Sequence, residues 1–231
     1  MMKQTVRKND AARVRRAWVR FAALLLCAVL LLAVTGFGFV RILRGPVAVA
    51  SLVRVAPGDY VSQDLGKILD NITVGYRNEA PKEVYAVAPV DRGIYVFCFP
   101  ERWFFNEELV RAQTDAWLAD PTTETDRYLP VTGTAKAMPQ ELKPYVRAWF
   151  EKNEDALAQI GLIPQGAAME SCVSECVIYV DRVGALPFGT VVILTILAFV
   201  LIIWALIVLL RILARGYPTK TAKPNKEKQH G

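Results

Sequence analysis

The sequence predicts an α+β protein: two transmembrane helices flanking a small extracytoplasmic domain, itself an OB-like, partly open β-barrel with two added helices. Three observations lead there. Two apolar blocks, Phe21–Val40 and Phe188–Leu210, carry no charge over 20 and 23 residues, and a bilayer core about 30 Å thick takes roughly 20 apolar residues of helix. Between them, apolar runs of strand and helix period alternate in the order β, β-hairpin, α, β, α, β. Finally, the charge is segregated. Residues 1–20 hold seven Lys/Arg against Asp10, residues 211–231 hold six against Glu227, and the segment from Gly45 to Pro187 holds 13 basic and 20 acidic residues.

The predicted organisation is a basic lead-in (1–20), a first transmembrane helix (21–43), an extracytoplasmic domain (44–187), a second transmembrane helix (188–211) and a basic, disordered cytoplasmic tail (212–231). The first apolar block exceeds the 7–15 residues of a cleaved signal peptide, and Arg41 and Arg44 separate it from the small-x-small run Ala48-Val49-Ala50. It reads as an uncleaved signal anchor. Cys27 follows Leu26 in mid-block, which is no lipobox. Basic flanks stay cytoplasmic, so both termini are expected inside a bacterial plasma membrane and the acidic middle outside. Thus the formal charge of +6 is an average over unlike parts. It points to anionic lipid headgroups rather than nucleic acid.

Within the middle segment, Pro57-Gly58-Asp59 is a turn into a strand at Tyr60–Leu69. EVYAVA (83–88) and IYVFCF (94–99) form a hairpin around residues 89–93, and their unbroken apolarity predicts strands covered on both faces. NEELVRAQTDAWLA (106–119) is a helix with Asn106 at its N-cap, an apolar face of Leu109, Val110, Ala112, Ala116 and Trp117, and Glu107 and Glu108 in its first turn. Pro121–Asp126 is a loop, and Tyr128–Ala135 is the fourth strand. A second helix starts at Pro139 and shows Leu142, Tyr145, Val146, Trp149, Phe150, Leu157 and Ile160 at helical spacing. Pro144 is a potential kink, and Gly161 with Pro164 is the stop. CVIYVDRV (176–183) is the last strand. In the first apolar block, Ala33, Gly36 and Gly38 are small enough for close helix approach.

Catalytic signals are sparse. The only histidine is His230, so a histidine triad, a His-liganded zinc or a histidine acid–base pair in the middle segment is excluded. No nucleophile elbow, Ser-x-x-Lys or Gly-rich phosphate loop occurs. Glu107-Glu108 and Glu151/Glu154/Asp155 lack calcium-loop spacing and read as solvated helix faces. No Asp, Glu, Lys, Arg or His lies in either apolar block, which argues against a transport path. No catalytic, cofactor-binding or metal-ligating residue is assigned, and no cofactor is expected.

Cys98, Cys172 and Cys176 are candidate disulfide partners; buried free thiols are the alternative. C-x-x-x-C is not the redox or zinc spacing, and residues four apart on a strand stand about 13 Å apart, too far to bridge. Trp103, Phe104 and Phe105 are a candidate interaction patch on a partner or the membrane, or else a core plug. Asn71-Ile72-Thr73 is a glycosylation sequon, meaningful only in a eukaryotic secretory pathway. Leu129-Pro130-Val131-Thr132-Gly133 matches the pentapeptide that sortases cleave. However, the apolar helix that should follow closely begins some fifty residues later, so the five residues read better as a strand, with Gly133 where backbones pack close.

PGDYVSQDLGKILDNITVGYR (57–77), AQTDAWL (112–118) and VTGTAKAMPQELKPYVRAWF (131–150), the junction VTGTAKAM above all, resemble an uncharacterised family of two-pass membrane proteins of Gram-positive gut bacteria. That family is a domain of unknown function. The resemblance implies location and architecture and supplies no catalytic residue. The residues support a non-catalytic membrane protein whose outer domain serves as an interaction, sensing or accessory module. Its expected partners are the bilayer and a protein partner or a second copy. The alternatives are an envelope scaffold acting by homo-oligomerisation and a membrane-bound, carboxylate-dependent hydrolase.

Overall fold

The computed structural model describes residues 2–52, 54–72, 83–90, 93–120, 123 and 125–215, with only the backbone of 2–13 and 215. In chain order the elements are α1 (Met2–Arg44), β1 (Val47–Ala48), β2 (Tyr60–Leu65), β3 (Asp70–Ile72), β4 (Glu83–Val90), β5 (Gly93–Pro100), α2 (Phe104–Ala119), β6 (Leu129–Ala137), α3 (Lys143–Gln159), α4 (Met169–Cys172), β7 (Val173–Val180), β8 (Arg182–Val183), β9 (Leu186–Pro187) and α5 (Phe188–Arg215). The chain divides into two compact units, residues 1–37 with 192–231, and residues 38–191. Four expectations lie wholly or partly outside the described residues: Thr73 of the sequon, the hairpin residues 91 and 92, residues 121, 122 and 124 of the expected loop, and the tail 216–231.

The first unit contains the greater part of α1 and α5. Both helices are long and apolar enough to cross a membrane by length and composition. Their packing is inverted relative to a soluble protein. The buried positions are small, namely Ala28, Thr35, Thr195, Ala198 and Ala205, while Leu26, Leu30, Val34, Ile193, Ile203 and Trp204 point outward. Ala28/Thr35 and Ala198/Ala205 each recur at seven residues, the spacing of a helix–helix seam. Small residues let helix backbones approach where van der Waals contact drives association. The Thr35 hydroxyl donates to the Leu31 carbonyl. Of the small residues expected at this seam, Ala33 is exposed and a Cβ on Gly36 would meet nothing within 4 Å, so neither mediates it.

The second unit is a mixed sheet of seven strands in the order β1-β2-β6-β7-β5-β4-β3. The pairs β1/β2 and β5/β7 are parallel and the others antiparallel. β8 and β9 form a separate two-stranded ribbon. Of the expected OB-like, partly open barrel, the structure shows an α+β fold with an open sheet: among the described residues no ladder joins β1 or β2 to β3. The sheet is nevertheless curled. Leu65 and Asp70 are five Cα steps apart, at most about 18 Å, whereas β2 and β3 in a flat sheet would stand about 24 Å apart. The crossover at residues 66–69 therefore draws the two sides together. β1 and β3 were not expected as strands, because two or three residues carry no readable period.

Each face of the sheet has its own core. On one side Val61, Leu65, Ala86, Phe97, Phe99, Val131, Ile178 and Val180 pack with Ile68 and with Val110 of α2. On the other, Val87, Val96, Cys98 and Val177 pack with Val146, Trp149, Phe150 and Leu157 of α3. Burial on both faces explains the apolar run of β5, whose residues 94–99 are all buried.

α3 begins later than expected, which places Pro144 in its first turn, where a missing N–H costs nothing. No kink is required there. Gly161 at φ +74° ends the helix, and the Leu162 N–H returns to the Leu157 carbonyl. Tyr145, expected on the apolar face, is exposed.

α2 departs furthest from expectation. It starts at Phe104 with Trp103 at the N-cap position, so Asn106 caps nothing. Its buried positions are Glu107, Val110 and Thr114, while Ala112 and Ala116 are exposed. The reason lies beneath it. Residues 66–71 cross the open side of the sheet, largely without a ladder, and their backbone groups need partners. The Ile68 N–H donates to Thr114 Oγ1, Gln113 Nε2 donates to the Gly66 carbonyl, and Asn71 hydrogen-bonds Glu107. Polar residues therefore face inward on α2.

The pentapeptide 129–133 lies inside β6, paired with β2 from Leu129 to Thr134 and with β7 from Gly133 onward. Leu129 and Val131 are buried. A Cβ on Gly133 would stand 2.8 Å from the carbonyl carbon of Tyr179 and 3.1 Å from Val180 Cα. The close packing expected at this glycine is present, and cleavage after Thr132 would cut a central strand.

Candidate functional site

The second unit holds an open groove of about 1010 Å³ between the start of α3, the end of β6 and the start of β7. The placement follows from the chain. β6 stops at Ala137 while β7 begins three residues before their first shared pair, Ala137 with Cys176. The sheet surface there is therefore left for α3 to overhang. Val55, Met138, Val146, Met169 and Val173 supply apolar lining. Unbranched Met side chains adapt to irregular surfaces. A smaller cavity of about 490 Å³ shares Arg54, Val55, Glu170 and residues 173–175 and continues the groove.

The rim is charged and internally paired. Arg54 bonds Glu175, and Arg147 bonds Glu170 at 3.0 Å. All four side chains are more than half exposed, and pairs of this kind contribute about 0–1 kcal/mol. They can exchange for a partner's charges at small cost. Lys143 and Glu151 extend the rim along α3.

A second polar cluster crosses the α3 face of the sheet as one row. Tyr85 is opposite Cys98, and Cys98 is opposite Tyr179. The Tyr85 and Tyr179 hydroxyls hydrogen-bond each other, and the Cys98 thiol bonds Glu83. Arg182 pairs with Glu83, and Lys136 and Arg182 lie over the Tyr179 ring. Burial pushes Cys98, Tyr85 and Tyr179 above their ordinary values, with neighbouring groups reinforcing the rise at Cys98 and Tyr85. A thiol held protonated is not a nucleophile. This row joins three strands.

The sequence-predicted residues separate. Cys98, Cys172 and Cys176 are buried free thiols. Cys98 and Cys172 face the α3 core, and Cys176 faces the other. The Cys172 carbonyl lies against Gly93, five residues and about 16 Å along β5 from Cys98. Burial also raises Cys176, whose thiol bonds the Val55 carbonyl. The aromatic trio divides as well. Trp103 packs on the core and on the Phe99 ring, Phe104 is half-buried, and Phe105 is 71% exposed. Trp103 Nε1 donates to the Asp181 carboxylate at 2.8 Å, and Arg102 pairs with the same carboxylate. Asp181 holds φ 64°, a left-handed turn that Asp tolerates. Its carbonyl accepts the N–H of Phe188, the first residue of α5.

Glu107 and the groove were missed from sequence. Glu107 is 1% exposed, and burial raises its carboxyl above the ordinary range despite the Asn71 hydrogen bond and Arg111 nearby. Its Oε1 and the Asn71 Oδ1 are both buried without a partner. Two acidic residues opening a helix read as solvated, and Glu108 is exposed as expected. Nothing local distinguishes the two. The groove joins residues from 54 to 176, which no sequence spacing connects.

No curated protein and no solved structure matches the chain. One family model does, over residues 8–211, so that it takes in both apolar helices and the whole sheet. The chain belongs to that family, a domain of unknown function (DUF8577).

Proposed function

We propose that this chain is a two-pass membrane protein with both termini cytoplasmic, and that its outer α+β domain is a non-catalytic module that binds a protein segment in the α3/β7 groove. The observation that carries the reading is the groove itself, about 1010 Å³ with a Met-containing apolar lining and a rim of weakly held ion pairs. Adaptable lining with exchangeable charges suits a polypeptide ligand. The inverted packing of the first unit and the basic flanks of its helices support the membrane assignment. The bacterial plasma membrane and the signal-anchor role of α1 belong to the same proposal.

Site-specific photocrosslinking in intact cells tests it. A crosslinker at Gln140 or Glu151 should give one discrete adduct that Met169→Lys abolishes, while a crosslinker at Glu108 should not give it. Adducts only to a second copy of the chain would favour the homo-oligomeric scaffold. No groove-dependent adduct would end the proposal. Orientation is tested separately with an impermeant maleimide, which should label Asp155→Cys but not His230→Cys in intact cells.

A further inference from the structure

Contacts spaced along α2 fasten it to the crossover at residues 66–71. Asn71 hydrogen-bonds Glu107, the Ile68 N–H donates to Thr114 Oγ1, and Gln113 Nε2 donates to the Gly66 carbonyl. Further on, the Lys67 ammonium lies 3.7 Å from the centre of the Trp117 ring. Of the inward stripe Glu107, Val110 and Thr114, only Val110 is apolar. Along this seam the helix is therefore held chiefly by polar contacts, and one of them engages a buried carboxyl.

That carboxyl and its partner leave a specific remainder. Glu107 Oε1 and Asn71 Oδ1 are the atoms buried without a partner, so the bond between the two side chains runs from Asn71 Nδ2 to Glu107 Oε2. Two orphan acceptors on side chains already joined by one bond lack a proton between them. A neutral carboxylic acid supplies it. Glu107 then donates from Oε1 to Asn71 Oδ1 while Oε2 still accepts from Nδ2, which closes a ring of two hydrogen bonds. Ionised Glu107 leaves both oxygens orphaned and a charge at 1% exposure, and both are costly. The surroundings do little to offset this. Arg111 and Glu108 act on the carboxyl from α2 with opposite sign. On the crossover, Asp70 Oδ1 takes the Asn71 N–H, and Lys67 is engaged with Trp117. The core that α2 caps is built of apolar residues such as Val61, Leu65, Ile68 and Phe97.

We infer that Glu107 and Asn71 form a proton-operated latch: with the proton in place they clasp α2 to residues 66–71, and when it leaves to solvent the clasp opens and α2 loosens from the crossover. Trp103, packed on the core and bonded to Asp181, keeps the start of the helix anchored. What loosens is therefore 107–119 together with 66–71. The direction follows from burial, which raises the docked carboxyl above its ordinary value. Such a group keeps its proton, and the latch, at low pH and gives up both as pH rises through the raised value. The latch needs neither a ligand in the groove nor a membrane.

The test is hydrogen exchange of the full chain in neutral detergent, resolved by mass spectrometry and corrected for the intrinsic pH dependence of amide exchange. In wild type the protection of 66–71 and 107–119 should fall by up to about tenfold per pH unit above 4.5, the slope of one released proton, and then level off. Protection of α3 should change much less. Glu107→Gln should keep its protection throughout, because the glutamine amide donates permanently to Asn71 Oδ1 where the acid's proton would stand. Wild-type protection that is flat with pH, or the same fall in Glu107→Gln, overturns the latch. A fall shared equally by α3 also overturns it, since the whole domain would then be loosening. Infrared spectroscopy of the wild type gives a reading that does not depend on how a variant folds. A carbonyl stretch of a protonated carboxylic acid should persist above pH 4.5 and vanish together with the protection; its absence overturns the inference as well.

Discussion

Replacing Gly133 by Ala isolates one steric term. The glycine has no left-handed φ, so backbone strain is not at issue. The added methyl would sit 2.8 Å from the Tyr179 carbonyl carbon, closer still to its oxygen, and 3.1 Å from Val180 Cα. These are backbone atoms of β7, which is held between β5 and β6 and cannot retreat without opening a ladder. Overpacking a well-filled site costs about 1–3 kcal/mol, and an unyielding backbone puts this case near the top, about 3 kcal/mol. For a domain of this size that is a fall in Tm of roughly 6–12 °C. The assay is urea unfolding of the full chain in neutral detergent, followed by tryptophan fluorescence, since Trp149 is buried in the α3 core. Gly161→Ala, at φ +74° in open space, should cost only about 1 kcal/mol. Gly36→Ala, on a helix with no neighbour within 4 Å, should not destabilise. A Gly133→Ala midpoint indistinguishable from wild type would refute the reasoning.

Glu107→Gln should flatten a pH dependence. Because burial raises the folded carboxyl above 4.5, its stabilising contribution is complete below that value and is lost as pH rises through the raised one. Wild type should therefore weaken relative to the variant as pH rises above 4.5, and parallel profiles would contradict the assignment. Alkylation in denaturant without reductant should modify all four cysteines, and a mass lacking two adducts would establish a disulfide. Phe97→Ala, at a fully buried position, should cost about 3–5 kcal/mol in the same urea assay; a loss below 1 kcal/mol would mean that the core face is misplaced. Wall fractions should contain no covalently linked form of the chain, and a linked form abolished by Thr132→Ala would overturn the strand assignment of 129–133.

Long elements were legible and short ones were not. β5, β6 and α3 announce themselves through six or more residues of one period, whereas β1 and β3 exist only because β2 and β4 supply partners. The open sheet could not be told from a barrel, since closure depends on how far residues 66–69 draw the two sides together. For the candidate site, the aromatic trio was visible as a cluster, but its division into an inward Trp103 and an outward Phe105 was not. The groove was invisible because its lining is spread over 120 residues.

By itself the sequence determined the two apolar helices, the acidic middle between basic ends and the positions of its long strands, because hydropathy and charge add up over contiguous residues without reference to the rest of the fold. Tertiary structure decided which face of α2 is buried. Its apolar stripe would have gone inward by pattern alone. The crossover at residues 66–71 brought a backbone donor at Ile68 and an acceptor at Gly66 that needed partners, and satisfying them turned Thr114 and Gln113 towards it, with Glu107 on the same side against the Asn71 side chain and Phe105 outside.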